Sequence, residues 1–306
     1  MLKIIVRFLL ILIGIILLVS LVFAGLYIYM DKTNGKIESS GIQRRYLLYV
    51  PETYDPAKAT PLVISIHGFA EWPAHQMQLS HWNQLADEYG FIVVYPSGTK
   101  FPKRWIASGL GLEQKDYLQD VQFINDLIDH LEDEYHIDPR RIYANGLSNG
   151  GGMSFLLSCE LANRIAAIGS VSGAYVLTWE ECMPSRPVPM IAFHGTADQV
   201  VPYLGGSSHS FDVPFPAIPD WINIKANHNG CLTQKNILMA SPEIEGISYS
   251  DCEENADVIF YTIHGGGHSW PGGEPLPEWI VGQTSQAINA TNLMWQFFLD
   301  HPMPVH

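Results

Sequence analysis

An α/β protein built on a doubly wound, mostly parallel sheet is the fold class that the sequence predicts. Three observations lead there. Seven short apolar runs rich in β-branched residues recur between residues 45 and 264, most of them bordered by glycine or proline. Runs this continuous suit strands buried on both faces. Helical patterns, with apolar residues three and four positions apart, lie between these runs. An uncharged N-terminal stretch stands outside the alternation and predicts a transmembrane helix.

The elements follow in chain order. Lys3 and Arg7 precede "FLLILIGIILLVSLVFAGLYIYM", residues 8 to 30, which carries no charge. As a helix it would extend about 34 Å at roughly 1.5 Å per residue, enough to cross a bilayer. Positive charge before it and Asp31 after it place the N-terminus in the cytoplasm and the rest outside. Residues 1–30 are therefore expected to be a membrane anchor. The alternative is a signal peptide cleaved after Ala24, which would make the chain a secreted one. Residues 31–42 are polar, with two glycines and two serines, and read as a linker.

Residues 43–306 are expected to form one catalytic domain. Its strands are "RYLLYV" (45–50), "PLVISIH" (61–67), "FIVVYP" (91–96), "RIYANG" (141–146), "AAIGSVS" (166–172), "PMIAFH" (189–194) and "VIFYTIH" (258–264). Its helices are 80–90, 119–135, 151–164 and 285–301. In the second of these, Val121, Ile124, Leu127, Ile128 and Leu131 make one apolar stripe. Residues 199–257 hold one helical pattern, Ile218 to Asn227, which is too little for a large lid domain.

Composition narrows the partners. The 306 residues carry 17 basic and 31 acidic side chains, a net charge of −14, and residues from 31 onward carry −16. Such a surface repels nucleic acid and anionic lipid. The four cysteines, Cys159, Cys182, Cys231 and Cys252, suit disulfides in an exported chain. Of three pairings, the sequential one closes short loops and is expected. Free thiols and zinc ligation are the alternatives, but there is no C-x-x-C pair and no metal is implied.

The chemistry centres on "YANGLSNGGGMS" (143–154), which contains the pattern G-x-S-x-G at Gly146 to Gly150. It follows a strand and precedes an apolar helix, the setting of a nucleophile elbow. There the serine occupies a tight turn, and residues two positions to either side must be small. Ser148 is the expected nucleophile. Asp198, in "FHGTADQVVPY", follows a buried strand at the sheet's carboxyl edge, where open α/β sheets build their sites. Asp212, Asp220 and Asp257 do not directly follow a core strand. His268, in "HGGGHSWPGG", lies on a glycine loop after the last strand and is preferred to His264 as the base. The order Ser148, Asp198, His268 is that of α/β-hydrolases. Histidine would take the serine proton while aspartate orients it and stabilises its cationic form. The oxyanion hole is expected from the N–H groups of Asn149 and Phe69, with His67 bracing the second loop; losing one such donor costs about 3 kcal/mol. Trp72, Trp105, Tyr203 and Trp270 are expected at the substrate surface.

On these residues the chain resembles the extracellular polyhydroxybutyrate depolymerase and feruloyl esterase group of α/β-hydrolases. The resemblance covers roughly residues 43 to 300. It rests on "HGFAEW", "WNQLADEYGFIVVYPSG", "IDPRRIYANGLSNGGGMSFLLSCE", "FHGTADQVVPY" and "GGGHSWPGG". Many members carry cysteine where Phe69 stands. The resemblance implies the same roles for Ser148, Asp198, His268, Phe69 and Asn149. It implies a serine carboxylic-ester hydrolase working through an acyl-enzyme without a cofactor, on hydroxyalkanoate oligomers or polyesters, or on feruloyl or acetyl esters. An acyltransferase, or a non-catalytic surface protein on the same scaffold, is the alternative. Activity is expected to fall below about pH 6, because an unperturbed imidazole titrates near 6.5.

Overall fold

The computed structural model describes residues 2–107, 117–177, 179, 181–208, 214–232 and 234–305. In chain order the elements are α1 (Leu2–Met30), β1 (Gly35–Ser39), β2 (Ile42–Tyr49), β3 (Thr60–Ile66), α2 (Pro73–Ser80), α3 (Trp82–Tyr89), β4 (Ile92–Pro96), α4 (Tyr117–Glu134), β5 (Ile137–Leu147) and α5 (Asn149–Glu160). They continue as β6 (Ala167–Val171), β7 (Met190–Gly195), β8 (Gly206–Ser207), β9 (Pro214–Phe215), α6 (Ile218–His228), β10 (Lys235–Ala240), β11 (Ile244–Tyr249), β12 (Val258–Ile263), α7 (Glu278–Val281) and α8 (Ala290–Asp300).

Ten of the strands form one sheet in the order β1-β2-β4-β3-β5-β6-β7-β12-β11-β10. The stretch from β4 to β12 is parallel, and antiparallel strands flank it on both sides. β3, β4, β6 and β7 are buried along their whole length, as their unbroken apolar runs require.

Helices cover both faces. On one, α4, α5 and α6 contribute Phe123, Leu127, Phe155, Leu156 and Ile222 to a core with Ile64, Ile142 and Ile168 of the sheet. On the other, α3 and α8 contribute Trp82, Ala86, Met294, Trp295 and Phe298 against Val63, Tyr143 and Phe193. Each such fully buried aliphatic or phenylalanine side chain contributes about 1.5–3 kcal/mol.

The structure departs from the sequence reading at the sheet's edges. Residues 35–39, expected within a linker, form the edge strand β1 and pair with β2. Ser40 (φ 51°) and Gly41 (φ 74°) make the tight turn between them, with positive φ at both positions as a two-residue hairpin requires. β1 has one large apolar residue, Ile37, so its text looks like linker. β10 and β11 extend the opposite edge as a hairpin inside residues 199–257, where only a helix was expected. The last helix begins at Ala290 rather than near 285, because Asn289 caps it by accepting the Asn292 N–H at 2.9 Å.

Cys159 is bonded to Cys182 and Cys231 to Cys252, the sequential pairing. The segment Val6–Phe23 of α1, with mean hydropathy 3.0, is not buried against the rest of the chain and is long and apolar enough to cross a membrane.

Candidate active site

Ser148 sits between β5 and α5 at φ 56°, ψ −118°, a conformation that costs a non-glycine residue of order 1–3 kcal/mol. The neighbouring glycines hold it there. A Cβ at Gly146 would lie 2.5 Å from the Gly150 carbonyl carbon, and one at Gly150 would lie 2.1 Å from the Ile66 carbonyl oxygen. Gly152 brings the first turn of α5 against Ala174, whose oxygen would be 2.3 Å from an added Cβ. The Ser148 N–H donates to the Val171 carbonyl, and its own carbonyl accepts from Ala174. The elbow is therefore tied to β6 and to the loop that follows it.

Asp198 follows β7, and His268 follows β12, the next strand in the sheet. His268 Nδ1 donates to Asp198 Oδ2 at 2.8 Å. The second oxygen of Asp198 accepts the N–H groups of Val200 and Val201 at 2.9 and 2.8 Å. Burial opposes ionisation of this carboxyl, but the charges and hydrogen bonds of His268 and His194 outweigh it and hold its pKa well below the usual carboxylate range. Burial likewise opposes a charged His268, yet Asp198 first and Glu71 second raise the imidazole above its ordinary value. Ser148, Asp198 and His268 are all buried and lie beyond the carboxyl ends of strands two positions apart or adjacent in the sheet. His264, the rival base, is exposed on the turn after β12.

The loop after β3 is braced as the sequence suggested. His67 is buried; its Nδ1 donates to the Gly68 carbonyl at 2.7 Å and its Nε2 accepts the Gly98 N–H at 2.9 Å. Burial lowers it to about 4, so it is a neutral strut. The Ala70 N–H donates to the Lys103 carbonyl at 2.7 Å, with Ala70 at φ 59°. Asn149 has a side-chain contact that the sequence did not announce. Its side chain accepts the Trp105 N–H at 2.7 Å and donates to the Trp105 carbonyl at 3.0 Å, stapling the 99–106 loop to the start of α5. Asp120 pins the same loop through the Ile106 N–H and is itself paired with the buried Arg44 at 2.7 Å.

Two of the expected substrate aromatics are core residues. Trp270 is fully buried beneath α8, donating its indole N–H to Thr291 at 2.9 Å. Trp105 is fully buried between His67 and Phe123, donating to the His67 carbonyl. Closeness in sequence to a site residue misled here: the Trp105 indole braces the backbone of the loop after β3 from behind, and the Trp270 indole is anchored to α8. Tyr203 is half-buried, its hydroxyl sharing a hydrogen bond with Thr262. Trp72 and Phe69 are partly exposed beside α2. Of the rejected acids, Asp220 is exposed on α6 and Asp257 is partly buried before β12, while Asp212 lies outside the described residues.

An apolar groove of about 480 Å³ lies elsewhere, lined by Tyr175, Leu177, Trp179, Phe215 and Trp221. Tyr175 and Trp221 stack with centroids 3.7 Å apart. Tyr175 directly follows Ala174, whose N–H donates to the Ser148 carbonyl. Nothing in the local sequence marked Trp179 or Trp221; they meet through α6 and the disulfide-tethered loop after β6.

The sheet order, with helices on both faces and a serine elbow after the central strand, defines the class: the chain is an α/β-hydrolase. The family described as esterase PHB depolymerase matches residues 44–185. A probable feruloyl esterase C of Aspergillus clavatus is 30% identical over 276 residues, covering 87% of this chain and 86% of that protein. The bifunctional acetylxylan esterase/xylanase XynS20E of Neocallimastix patriciarum is 30% identical over 238 residues, 77% of this chain; the chain spans 32% of that relative's length. An acetyl xylan esterase structure from Aspergillus awamori shares the fold with a TM-score of 0.60 at 16% identity, covering 86% of this chain and 98% of that one. The chain belongs to the polyhydroxybutyrate depolymerase and feruloyl esterase group of carboxylic-ester hydrolases.

Proposed function

We propose that the chain hydrolyses carboxylic esters through an acyl-enzyme on Ser148. Ser148 Oγ attacks the ester carbonyl while His268 Nε2 takes its proton. The resulting imidazolium returns that proton to the departing alcohol, and water repeats the cycle to release the acid. Asp198 holds His268 with its proton on Nδ1. The N–H groups of Asn149 and Phe69 receive the charge that develops on the carbonyl oxygen. The observation that most supports this reading is the 2.8 Å contact between His268 and Asp198 at the same sheet edge as the strained serine.

The aromatic groove supports an apolar or aromatic acyl group, of the kind a feruloyl ester presents, rather than acetyl alone. A panel of methyl ferulate, p-nitrophenyl acetate and hydroxybutyrate oligomers, given to the detergent-solubilised full chain, tests this. The highest kcat/KM is expected for the aromatic acyl ester. A preference for acetyl over every larger acyl group would overturn the assignment.

The same reading has α1 holding the chain in a membrane with the catalytic domain on the extracytoplasmic side. The two disulfides and the N-terminal Lys3 and Arg7 support that orientation. Resistance of the membrane-bound protein to carbonate extraction is expected, and release into the soluble fraction would contradict it.

A further inference from the structure

We propose that Glu71 is a positioning residue for this reaction: its carboxylate locks the turn that carries Phe69. The proposal rests on the serine-esterase reading above.

Glu71 lies at the end of the loop after β3, and its side chain folds back over that loop. Oε2 accepts the Gly68 N–H at 2.8 Å, and Oε1 lies 3.6 Å from Nδ1 of His75, one turn along α2. The carboxylate is 18% exposed. A charge so poorly hydrated is costly unless something holds and uses it. Its position identifies the use. A Cβ added at Gly68 would lie 2.9 Å from Glu71 Oε2 and 3.5 Å from the Leu147 carbonyl oxygen. The carboxylate is therefore on the side of the turn that faces the peptide entering Ser148. The turn also needs a lock, since Ala70 within it is held at positive φ.

Glu71 faces His75 and the neutral His67. Burial opposes the charge on Glu71, but His75 and the Gly68 N–H keep it ionised below the ordinary carboxyl value. A negative charge disfavours an oxyanion nearby, a cost that His75 and the Gly68 N–H reduce.

Glu71→Gln keeps a side-chain oxygen that accepts from Gly68, and Glu71→Ala removes it. The readouts are kcat and KM for a p-nitrophenyl ester, with thermal unfolding alongside. Glu71→Gln is expected to keep kcat within about threefold of the parent. Glu71→Ala is expected to lower kcat about tenfold or more with KM little changed, as loosening of an oxyanion donor would. A Glu71→Ala kcat within about twofold of the parent, or equal losses in the two variants, would overturn the proposal. If Glu71→Ala does not fold, Glu71→Asp, whose side chain is one methylene shorter, takes its place with the same outcomes. Retained esterase activity in Ser148→Ala would instead end the serine reading.

Discussion

His268 Nδ1 lies 2.8 Å from Asp198 Oδ2 although 70 residues of chain separate them. Asp198 itself is fixed by the Val200 and Val201 N–H groups, so it presents one oxygen to the imidazole in a set direction. Asp198→Asn would place a donor there and favour the wrong tautomer. A loss of about three to four orders of magnitude in kcat is expected with the fold intact. Steady-state kinetics alongside circular dichroism would check this, and a loss below tenfold would contradict it.

The acid limb of the pH profile should lie higher than an ordinary histidine would place it. Burial lowers the His268 pKa, but Asp198 and Glu71 raise it further, and the net shift is upward. The base must be neutral to accept the serine proton. Activity is thus present above the raised pKa and lost as pH falls through it, starting above about 6.5. An unperturbed imidazole would instead give a limb near pH 6. A midpoint of kcat/KM below about 6.5 would refute this.

Gly150→Ala should destabilise the domain by at least about 3 kcal/mol, because the new methyl would lie 2.1 Å from the Ile66 carbonyl oxygen, a backbone atom of a central strand. Thermal unfolding would detect it, and an unchanged melting temperature would mean that α5 can shift away from the sheet.

Trp270→Ala tests the reassignment of that residue from substrate surface to core. A cost of about 3–5 kcal/mol is expected, with KM unchanged in whatever protein folds. A raised KM at unchanged stability would restore the substrate-binding expectation.

Trp179→Ala should raise KM for aromatic acyl esters by about tenfold, and leave p-nitrophenyl acetate within about twofold, since one large apolar contact contributes about 1–3 kcal/mol in a pocket. Equal effects on both esters would move the acyl site away from the groove.

The parallel centre of the sheet was legible because buried strands read as unbroken apolar runs, as in "PLVISIH" and "PMIAFH". The placement of Ser148, Asp198 and His268 beyond the carboxyl ends of neighbouring strands was legible because each follows such a run within a few residues, in "ANGLSNG", "FHGTAD" and "IHGGGHS". The edges were not. β1 and β10 bury little, and β10 is exposed along all six residues, so neither carries a core pattern. Trp105 and Trp270 deceived for a related reason: sequence distance to a site residue says nothing about which side of the loop an indole packs on. Glu71 and the pair Tyr175–Trp221 needed three dimensions, since a side chain folding back onto its own turn and a stack across 46 positions leave no local signal.

The central claim is that Ser148 carries the acyl group. Rapid quenching of the enzyme during turnover of a p-nitrophenyl ester, followed by peptide mass mapping, measures this directly. The account predicts the acyl mass increment on the peptide containing Ser148, and its absence, together with loss of turnover, in Ser148→Ala. Full turnover in Ser148→Ala, or an increment found only on another residue, would contradict it.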